Sequence, residues 1–289
     1  MNQQENNTTE WLFEITPKNN FFSLNLKEVW QYRDLLMLFV KRNIITAYKQ
    51  TVLGPLWYLI EPLFTSVIFT LIFNNMANIS TGTVPPFLFN LAGITIWNYF
   101  TACFSGTSNT FSANAGIFGK VYFPRLIMPL VAVISNLLRF GIQFFIFMAF
   151  FGYYYYKGAN ISINEYAFLF PVMVLIMGML GLGLGMIISA MVTKYRDLNI
   201  LVGFGMRLLM YISAVMYPVS YFVEKLPKYA WVVQYNPLSF VIESVRYMLL
   251  NTGVFNLSMF IYTLITTVII LFVGIIIFNR AEKSFIDTI

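Results

Sequence analysis

The composition of this 289-residue chain is that of a membrane protein. Apolar residues make up 58% of it and charged residues only 10%, against about 25% charged in ordinary globular domains, and the mean hydropathy is +0.71. The absence of histidine and the single cysteine, Cys103, exclude imidazole bases, most zinc sites and internal disulfides. The basic residues behind the net charge of +6 are spread over loops, so we expect a membrane and not nucleic acid to account for them.

The first 50 residues precede the apolar part of the chain. Residues 1–25 are polar and Asn-rich and lack the features of a secretory signal, so we expect this tail to stay uncleaved in the cytoplasm. From 26 to 50, apolar side chains recur at helical spacing among Lys and Arg residues, which predicts an amphipathic helix in the membrane interface. A solvated helix packed on a soluble partner is the alternative.

Six segments are apolar enough to cross a bilayer, for which about 20 residues are needed. Within a transmembrane domain of residues 51–289, they cover about 52–73, 87–104, 126–153, 166–192, 198–217 and 255–278. An even number of spans puts both termini on one side. If that side is the cytoplasm, it receives twelve Lys and Arg residues and the other side four, so the positive-inside rule places both termini in the cytoplasm. We therefore predict an all-α integral membrane protein.

The stretch 220–251, between the fifth and sixth predicted spans, is moderately apolar but contains two prolines and several charges. It is either an extracytoplasmic loop or a pair of re-entrant helices in the outer leaflet, which lipid tolerates only where protein or water covers the broken backbone. The apolar content and the prolines favour re-entrant helices. We single out Asn236, Pro237, Glu243 and Arg246 there; the last two are three residues apart and hence neighbours on a helix.

Two glycine-containing stretches resemble nucleotide-binding motifs only superficially. NAGIFGKV, which ends just after Lys120, lacks the first glycine and the final Ser or Thr of a phosphate-binding loop. GMLGLGLGMIISA (178–190) lies inside a predicted span, so Gly181 and Gly185 indicate a groove for close helix approach. We find no catalytic, cofactor-binding or metal-binding constellation, so the chain is predicted not to be an enzyme, and any energy source lies elsewhere.

Five motifs occur in order between residues 30 and 289. They are KRNIITAYKQTVLGPLWYLIEP (41–62), KVYFPRLIMPL (120–130), TKYRDLN (193–199), YNPLSFVIESVRYMLL (235–250) and FNRAEKSFID (278–287). Their order and spacing resemble those of the ABC-2-type export permeases, especially the polysaccharide-exporting branch. Thr51 stands where that family usually has serine, and the first 25 residues match none of its motifs.

The resemblance implies a homodimer of six-span subunits in the bacterial inner membrane, working with two copies of a separate ATPase. That partner binds Mg-ATP, and this chain carries no cofactor. The implied cargo is a lipid-linked polysaccharide that passes through a tunnel between the permease subunits; O-antigen is expected, with capsule or teichoic acid polymer as alternatives. The rival classes are a drug or small-lipid ABC-2 exporter and an ion-coupled transporter acting alone, which usually has internal repeats that we do not find here.

The resemblance implies that the segment between the fifth and sixth spans forms the outer exit, so Asn236, Pro237, Glu243 and Arg246 are candidate outer-gate residues. The resemblance also assigns docking on the ATPase to the cytoplasmic segment between the second and third spans, 111–125. This segment places apolar anchors beside charges; a loop on the membrane surface is the alternative. The turn at 195–197 is either a second contact or a helix stop with local charge pairing. The candidate coupling residues are Ile117, Phe118, Lys120, Tyr122, Arg125, Tyr195, Arg196 and Asp197.

Charges inside spans are costly unless they are paired or hydrated. Glu61, Arg139 and Arg207 are therefore either tunnel residues or members of interhelical ion pairs, such as one between the first two. We expect Glu61 to be structural and at least one arginine to contact the pyrophosphate of the substrate. Aromatic side chains can stack on sugars, although each could instead be a belt or core residue. The aromatic tunnel candidates are Trp57, Tyr58, Trp97, Tyr99 and Phe100.

Overall fold

The computed structural model describes residues 26–49, 56–118, 120–195 and 197–286, and these ranges contain twelve α-helices and no strand. The helices are α1 Leu26–Gln31, α2 Arg33–Tyr48, α3 Leu56–Phe69, α4 Pro86–Ser108, α5 Thr110–Phe118, α6 Ile127–Tyr156, α7 Phe170–Lys194, α8 Leu198–Ile212, α9 Val219–Lys225, α10 Ala230–Gln234, α11 Pro237–Leu250 and α12 Leu257–Ile286. A π-helical segment, Thr70–Met76, continues α3. The predicted tail 1–25 and Arg196 lie outside the described residues.

Five helical stretches in the described ranges are long and apolar enough to cross a membrane: Leu56–Met76, Pro86–Ser108, Ile127–Tyr156, Glu165–Lys194 and Leu257–Glu282. They coincide with the first four predicted spans and the sixth. The fifth predicted span, 198–217, coincides with a shorter apolar helix. The helix there ends at Ile212, and its 15 residues extend over about 22 Å, less than the roughly 30 Å of a hydrocarbon core.

Close packing of α7 against two neighbours builds the centre of the bundle. A Cβ atom on Gly185 would lie 2.6 Å from the Cβ of Thr107 and 2.9 Å from the carbonyl oxygen of Phe104, both on α4. On another face of α7, Gly183 meets Gly274 of α12, where an added Cβ would overlap the backbone. The small-residue groove predicted from Gly181 and Gly185 is confirmed, and α4 is its partner.

The spans alternate in direction, so the segments that contain most of the Lys and Arg residues meet at one end of the bundle. We call this the basic end. The ring of Phe111 in α5 stacks on Phe278 of α12 at 4.7 Å between centroids. Asn109 at the end of α4 and Asn199 at the start of α8 line the same cavity. The basic end therefore holds α5, the starts of α6 and α8, and the last turns of α4, α7 and α12.

Helices α1 and α2 lie at the basic end, and α2 packs on α6. Phe39 and Val40 are buried, and the ring of Phe39 lies 5.8 Å from that of Phe123. Other apolar side chains of the two helices point away from the protein: Trp30 is 70% exposed and Met37 60%. The pair thus presents one apolar face to the protein and another outward, a pattern typical of a helix at a membrane surface.

Candidate functional site

A cavity of about 390 Å³ lies at the basic end between α2, α3, α4, α5 and α6. Two predicted tunnel residues, Tyr58 and Arg139, meet in its wall. The Nη2 atom of Arg139 donates a hydrogen bond of 2.9 Å to the hydroxyl of Tyr58, and the guanidinium carbon lies 4.2 Å from the centre of the Tyr58 ring. Arg42 of α2 lines the same cavity, although the sequence singled out no function for it.

The environment of Glu61 differs from that of Arg139. Among the residues that the structure describes, Glu61 forms no ion pair, so the Glu61–Arg139 pair considered above is not present. Glu61 and Trp57 are four residues apart on α3, hence on one face of the helix, and both are exposed. The first span therefore presents an aromatic and an acidic side chain outward, beside the cavity that contains Arg139.

A second cavity, of about 340 Å³, separates α4 from α8 and contains Trp97 and Arg207 in its wall. Trp97 is largely buried and packs on Phe100 at 5.4 Å between ring centres, whereas Arg207 is exposed. Several hydroxyl and amide side chains line the remainder of this wall: Thr101, Ser105, Ser108, Asn109 and Asn199. The cavity thus combines a cation, an indole and neutral polar groups, which suits contact with a hydrated polymer.

Tyr99 and Phe100 lie in the interior of the chain. Tyr99 packs on Phe140 at 5.1 Å and against Gly178 of α7, and Phe100 is fully buried. Both are almost fully buried, as is Trp97 at 5% exposure, but unlike Trp97 neither lines one of the two cavities, so they cannot contact a large ligand in this conformation.

The predicted coupling segment consists of a buried layer and an exposed one. Arg125 donates from Nη1 to the carbonyl oxygen of Glu282 at 3.0 Å, pairs with its carboxylate at 3.7 Å and lies over the ring of Phe118. Burial lowers the pKa of Arg125, while the Glu282 carboxylate acts in the opposite direction. Lys120 is exposed, Tyr122 is 81% exposed, and Ile117 is half-buried.

The other predicted contact lies between α7 and α8. Tyr195 and Asp197 are exposed, and the ammonium of Lys194 lies 5.3 Å from the centre of the Tyr195 ring. Arg196 falls outside the described residues. The basic end therefore has an exposed set available to a partner, namely Lys120, Tyr122, Tyr195 and Asp197, above the buried Phe118–Arg125 layer.

The predicted outer-gate residues meet around the end of α8. Arg246 is fully buried and donates to the backbone carbonyls of Ala214 and Val215. Its guanidinium lies 3.8 Å from the centre of the Phe89 ring and 3.8 Å from the carboxylate of Glu243. Ala214, which lies just after the end of α8, has a φ of +51°, a conformation that L-residues rarely adopt. Arg246 therefore binds the backbone at the point where the chain leaves α8.

Asn236 and Pro237 begin α11 beside the same point. The Oδ1 atom of Asn236 accepts a hydrogen bond from the backbone N–H of Leu238, and its Nδ2 donates to the hydroxyl of Ser213 at 3.1 Å. Pro237 is the first residue of the helix, where its missing N–H is not needed. The four predicted gate residues thus join α11 to the end of α8. Gly93 was not predicted, yet a Cβ there would overlap the Arg246 guanidinium.

Comparison with known proteins places this arrangement in a family. A profile of the family described as ABC-2 type transporter matches residues 34–250, which include both cavities, the coupling segment and the Arg246 cluster. The chain belongs to the ABC-2 type transporter family. The prediction that it is a multi-pass membrane protein without its own catalytic site or cofactor is confirmed by this membership, which also implies an ATPase partner.

Several curated relatives of this ABC-2 chain have the name O-antigen export system permease protein RfbA. One from Klebsiella pneumoniae is 29% identical over 255 residues, covering 88% of this chain and 94% of that protein. A second from the same organism is 28% identical over 254 residues, with the same coverage. A third, from Myxococcus xanthus, is 28% identical over 195 residues and covers 68% of this chain and 72% of its own length.

Proposed function

We propose that the chain is the permease subunit of an ATP-driven exporter that moves a lipid-linked polysaccharide, an O-antigen in the first instance, across the bacterial inner membrane. The observation that carries the proposal is the similarity to O-antigen export permeases along 88% of this chain and 94% of the relative. The rival exporter of drugs or small lipids lacks such support, and family membership argues against a transporter that works alone.

In this proposal the chain crosses the membrane six times and functions as a homodimer. Helix α8 is the fifth span, completed by the non-helical residues 213–217. None of its fifteen residues, all of which the structure describes, is buried, and Ile200, Leu201 and Phe204 are exposed apolar side chains. Lipid and a second copy of the chain would cover them. Both termini are cytoplasmic, α1 and α2 lie in the interface, and α9 to α11 are re-entrant from the outside.

Energy enters at the basic end, where the partner ATPase binds Mg-ATP. Lys120, Tyr122, Tyr195 and Asp197, with Arg196 and Ile117, form the contact surface. Phe118 and Arg125 then connect this surface to the membrane, because Arg125 is bonded to α12 through Glu282 and lies two residues before α6. A force on the exposed layer would therefore tilt α6 and α12 together.

The polymer would pass along the faces that carry Trp57, Glu61, Trp97 and Arg207, with Tyr58 and Arg139 at its cytoplasmic end. Flat aromatic faces bind many sugars weakly, which allows a long chain to slide. Phe100 packs on Trp97 and holds it in place, whereas Tyr99 packs on Phe140 and on α7. At the outer end, the cluster of Asn236, Pro237, Glu243 and Arg246 would fix the re-entrant helices at the exit.

Deletion of the chain in its native host tests this proposal. We expect surface polysaccharide to disappear and lipid-linked polymer to accumulate inside the cell, with recovery when the wild-type chain is restored. The matched control restores the chain together with a hydrolysis-deficient ATPase, which should not recover export. Chemical analysis of the missing polymer distinguishes O-antigen from capsule or teichoic acid polymer. Unchanged surface polysaccharide combined with a loss of drug or small-lipid efflux would contradict the proposal.

A further inference from the structure

The cavity at the basic end concentrates positive charge between separate elements. Arg42 comes from the interfacial helix α2 and Arg139 from the interior of α6, and both line the cavity of about 390 Å³. None of the described residues in its wall is acidic. Pockets for small molecules have about 300–1,000 Å³ and a few convergent polar groups, and this cavity has such dimensions.

Each guanidinium has neighbours that orient it without neutralising it. Arg42 lies over the ring of Phe39 at 4.7 Å and donates to the side-chain oxygen of Asn43 at 3.2 Å. Arg139 lies over the ring of Tyr58 and donates to its hydroxyl. Within the described part of the chain, neither arginine forms an ion pair. A guanidinium has five N–H donors, so both can also bind an anion.

Two amide side chains add hydrogen-bond acceptors to the same wall. Asn114 donates from Nδ2 to the carbonyl oxygen of Thr110, and Asn136 donates from Nδ2 to those of Ala102 and Ala132. Asn136 uses both of its N–H donors on helix backbone and offers only its oxygen to a ligand, whereas Asn114 offers its oxygen and one remaining N–H. A ligand that fits both halves of the wall carries an anion beside hydroxyl groups.

The position of the cavity indicates a ligand that is held in the membrane. Arg139 lies twelve residues after the start of α6, or about 18 Å along that helix, while Arg42 lies on α2, which presents Met37 outward. The cavity thus extends from the membrane surface towards the interior. Arginine is the residue best suited to bidentate contact with phosphate.

We propose that Arg42 and Arg139 together bind the phosphate-ester headgroup of a membrane lipid, with Asn114 and Asn136 accepting hydrogen bonds from its hydroxyl groups. Two sources share this chemistry: the diphosphate that links a polymer to its lipid carrier, and the bulk anionic phospholipids. The first source rests on the proposed function and adds to it a place where the carrier headgroup enters. The second does not depend on it.

Lipid retention by the purified full chain with its ATPase tests this site. The complex is placed in nanodiscs of phosphatidylcholine without nucleotide. The probe is either radiolabelled undecaprenyl diphosphate that carries one sugar or radiolabelled phosphatidylglycerol, since both have hydroxyl groups beside the phosphate. Arg42→Gln and Arg139→Gln should each weaken binding at least about tenfold, because charge-assisted hydrogen bonds are lost. Arg139→Lys, which keeps the charge, should lose less. Arg33→Gln is the matched control, since Arg33 is exposed on α2 beside Asp34, and should stay within about twofold.

Loss confined to undecaprenyl diphosphate identifies the polymer carrier as the ligand, and equal loss of both probes identifies lipid phosphate in general; either supports the site. The proposal is overturned if the wild type retains neither probe, or if Arg42→Gln binds both as well as Arg33→Gln does. Arg42 is exposed, so its replacement does not threaten folding. Polymer export measured in cells separates this site from the proposed function. If both Gln variants export polymer and bind lipid as the wild type does, the lipid site is refuted and the proposed function is not.

Discussion

Replacement of Arg246 by methionine should destabilise the permease more than any other single substitution at the junction of α8 and α11. Methionine keeps much of the aliphatic length but removes every donor. The carbonyl groups of Ala214 and Val215 would lose their bonds to Arg246 inside the protein, and the carboxylate of Glu243, now 3.8 Å from the guanidinium, would lose its partner.

The expected loss in the free energy of unfolding is about 3–5 kcal/mol. Each buried carbonyl left without a partner costs about 1–3 kcal/mol, and removal of one member of a buried ion pair costs about 3–5 kcal/mol. These effects share one side chain and do not add fully. At about 2–4 °C per kcal/mol for a domain of this size class, such a loss lowers the melting temperature by about 6–20 °C.

Thermal melting of the purified chain in one detergent measures this loss. Lys228→Met is the matched control, because Lys228 is an exposed cation at the same end and its replacement should stay within about 0.5 kcal/mol. Glu243→Gln added to Arg246→Met should recover part of the loss, since no uncompensated charge remains. A melting temperature of Arg246→Met within 2 °C of that of Lys228→Met would refute the reasoning, because Arg246 would then contribute no more than an exposed cation.

Three other variants test the packing and the coupling surface. Gly185→Leu should lower the melting temperature because α4 contacts α7 there, whereas Gly141→Leu, where an added Cβ meets nothing within 4 Å, should not. Lys120→Glu combined with Tyr122→Ala should reduce the ATPase recovered in a pull-down at least fivefold, as expected for about 1 kcal/mol or more of lost contact, without changing the melting temperature. Arg125→Gln should reduce the free energy of unfolding by about 1.5–3 kcal/mol, which lowers the melting temperature. It should also lower ATP-driven export.

Each of these expectations has a distinct contrary result. Equal melting of the Gly185 and Gly141 variants would remove the α4–α7 contact as a source of stability. Full ATPase recovery by the Lys120 and Tyr122 double variant would exclude the exposed layer as the docking surface. An Arg125 variant that melts normally but fails to export would assign Arg125 to the partner contact instead of the buried layer.

Hydropathy could locate the spans because lipid imposes a minimum length and an apolar surface on any crossing helix. It could not locate the end of α8. Residues 213–217 are as apolar as those before them, but their carbonyls bond to Arg246, which lies about thirty residues further along the chain. That contact stabilises a positive φ at Ala214, and no local pattern in the sequence indicates it.

The sequence identified one aromatic residue and one arginine in the wall of each cavity, but it could not orient them. Trp97, Tyr99 and Phe100 are nearly consecutive in α4, a helix packed on several sides, so their chemistry alone does not say which one lines a cavity. Arg42 was passed over because it resembles the other charges of an amphipathic helix. Only the packing of α2 on α6 brings it to the cavity of Arg139, which is distant in the sequence.

Transport in proteoliposomes that contain only the purified permease and its ATPase would decide whether the chain is an ATP-driven polysaccharide exporter. The measured quantity is the fraction of lipid-linked polysaccharide that crosses the membrane and becomes accessible to an added glycosidase. We expect this fraction to rise only when ATP, the permease and a hydrolysis-competent ATPase are all present. Polymer that crosses equally without ATP, or no crossing alongside ATP-driven transport of a small amphiphile, would contradict that function.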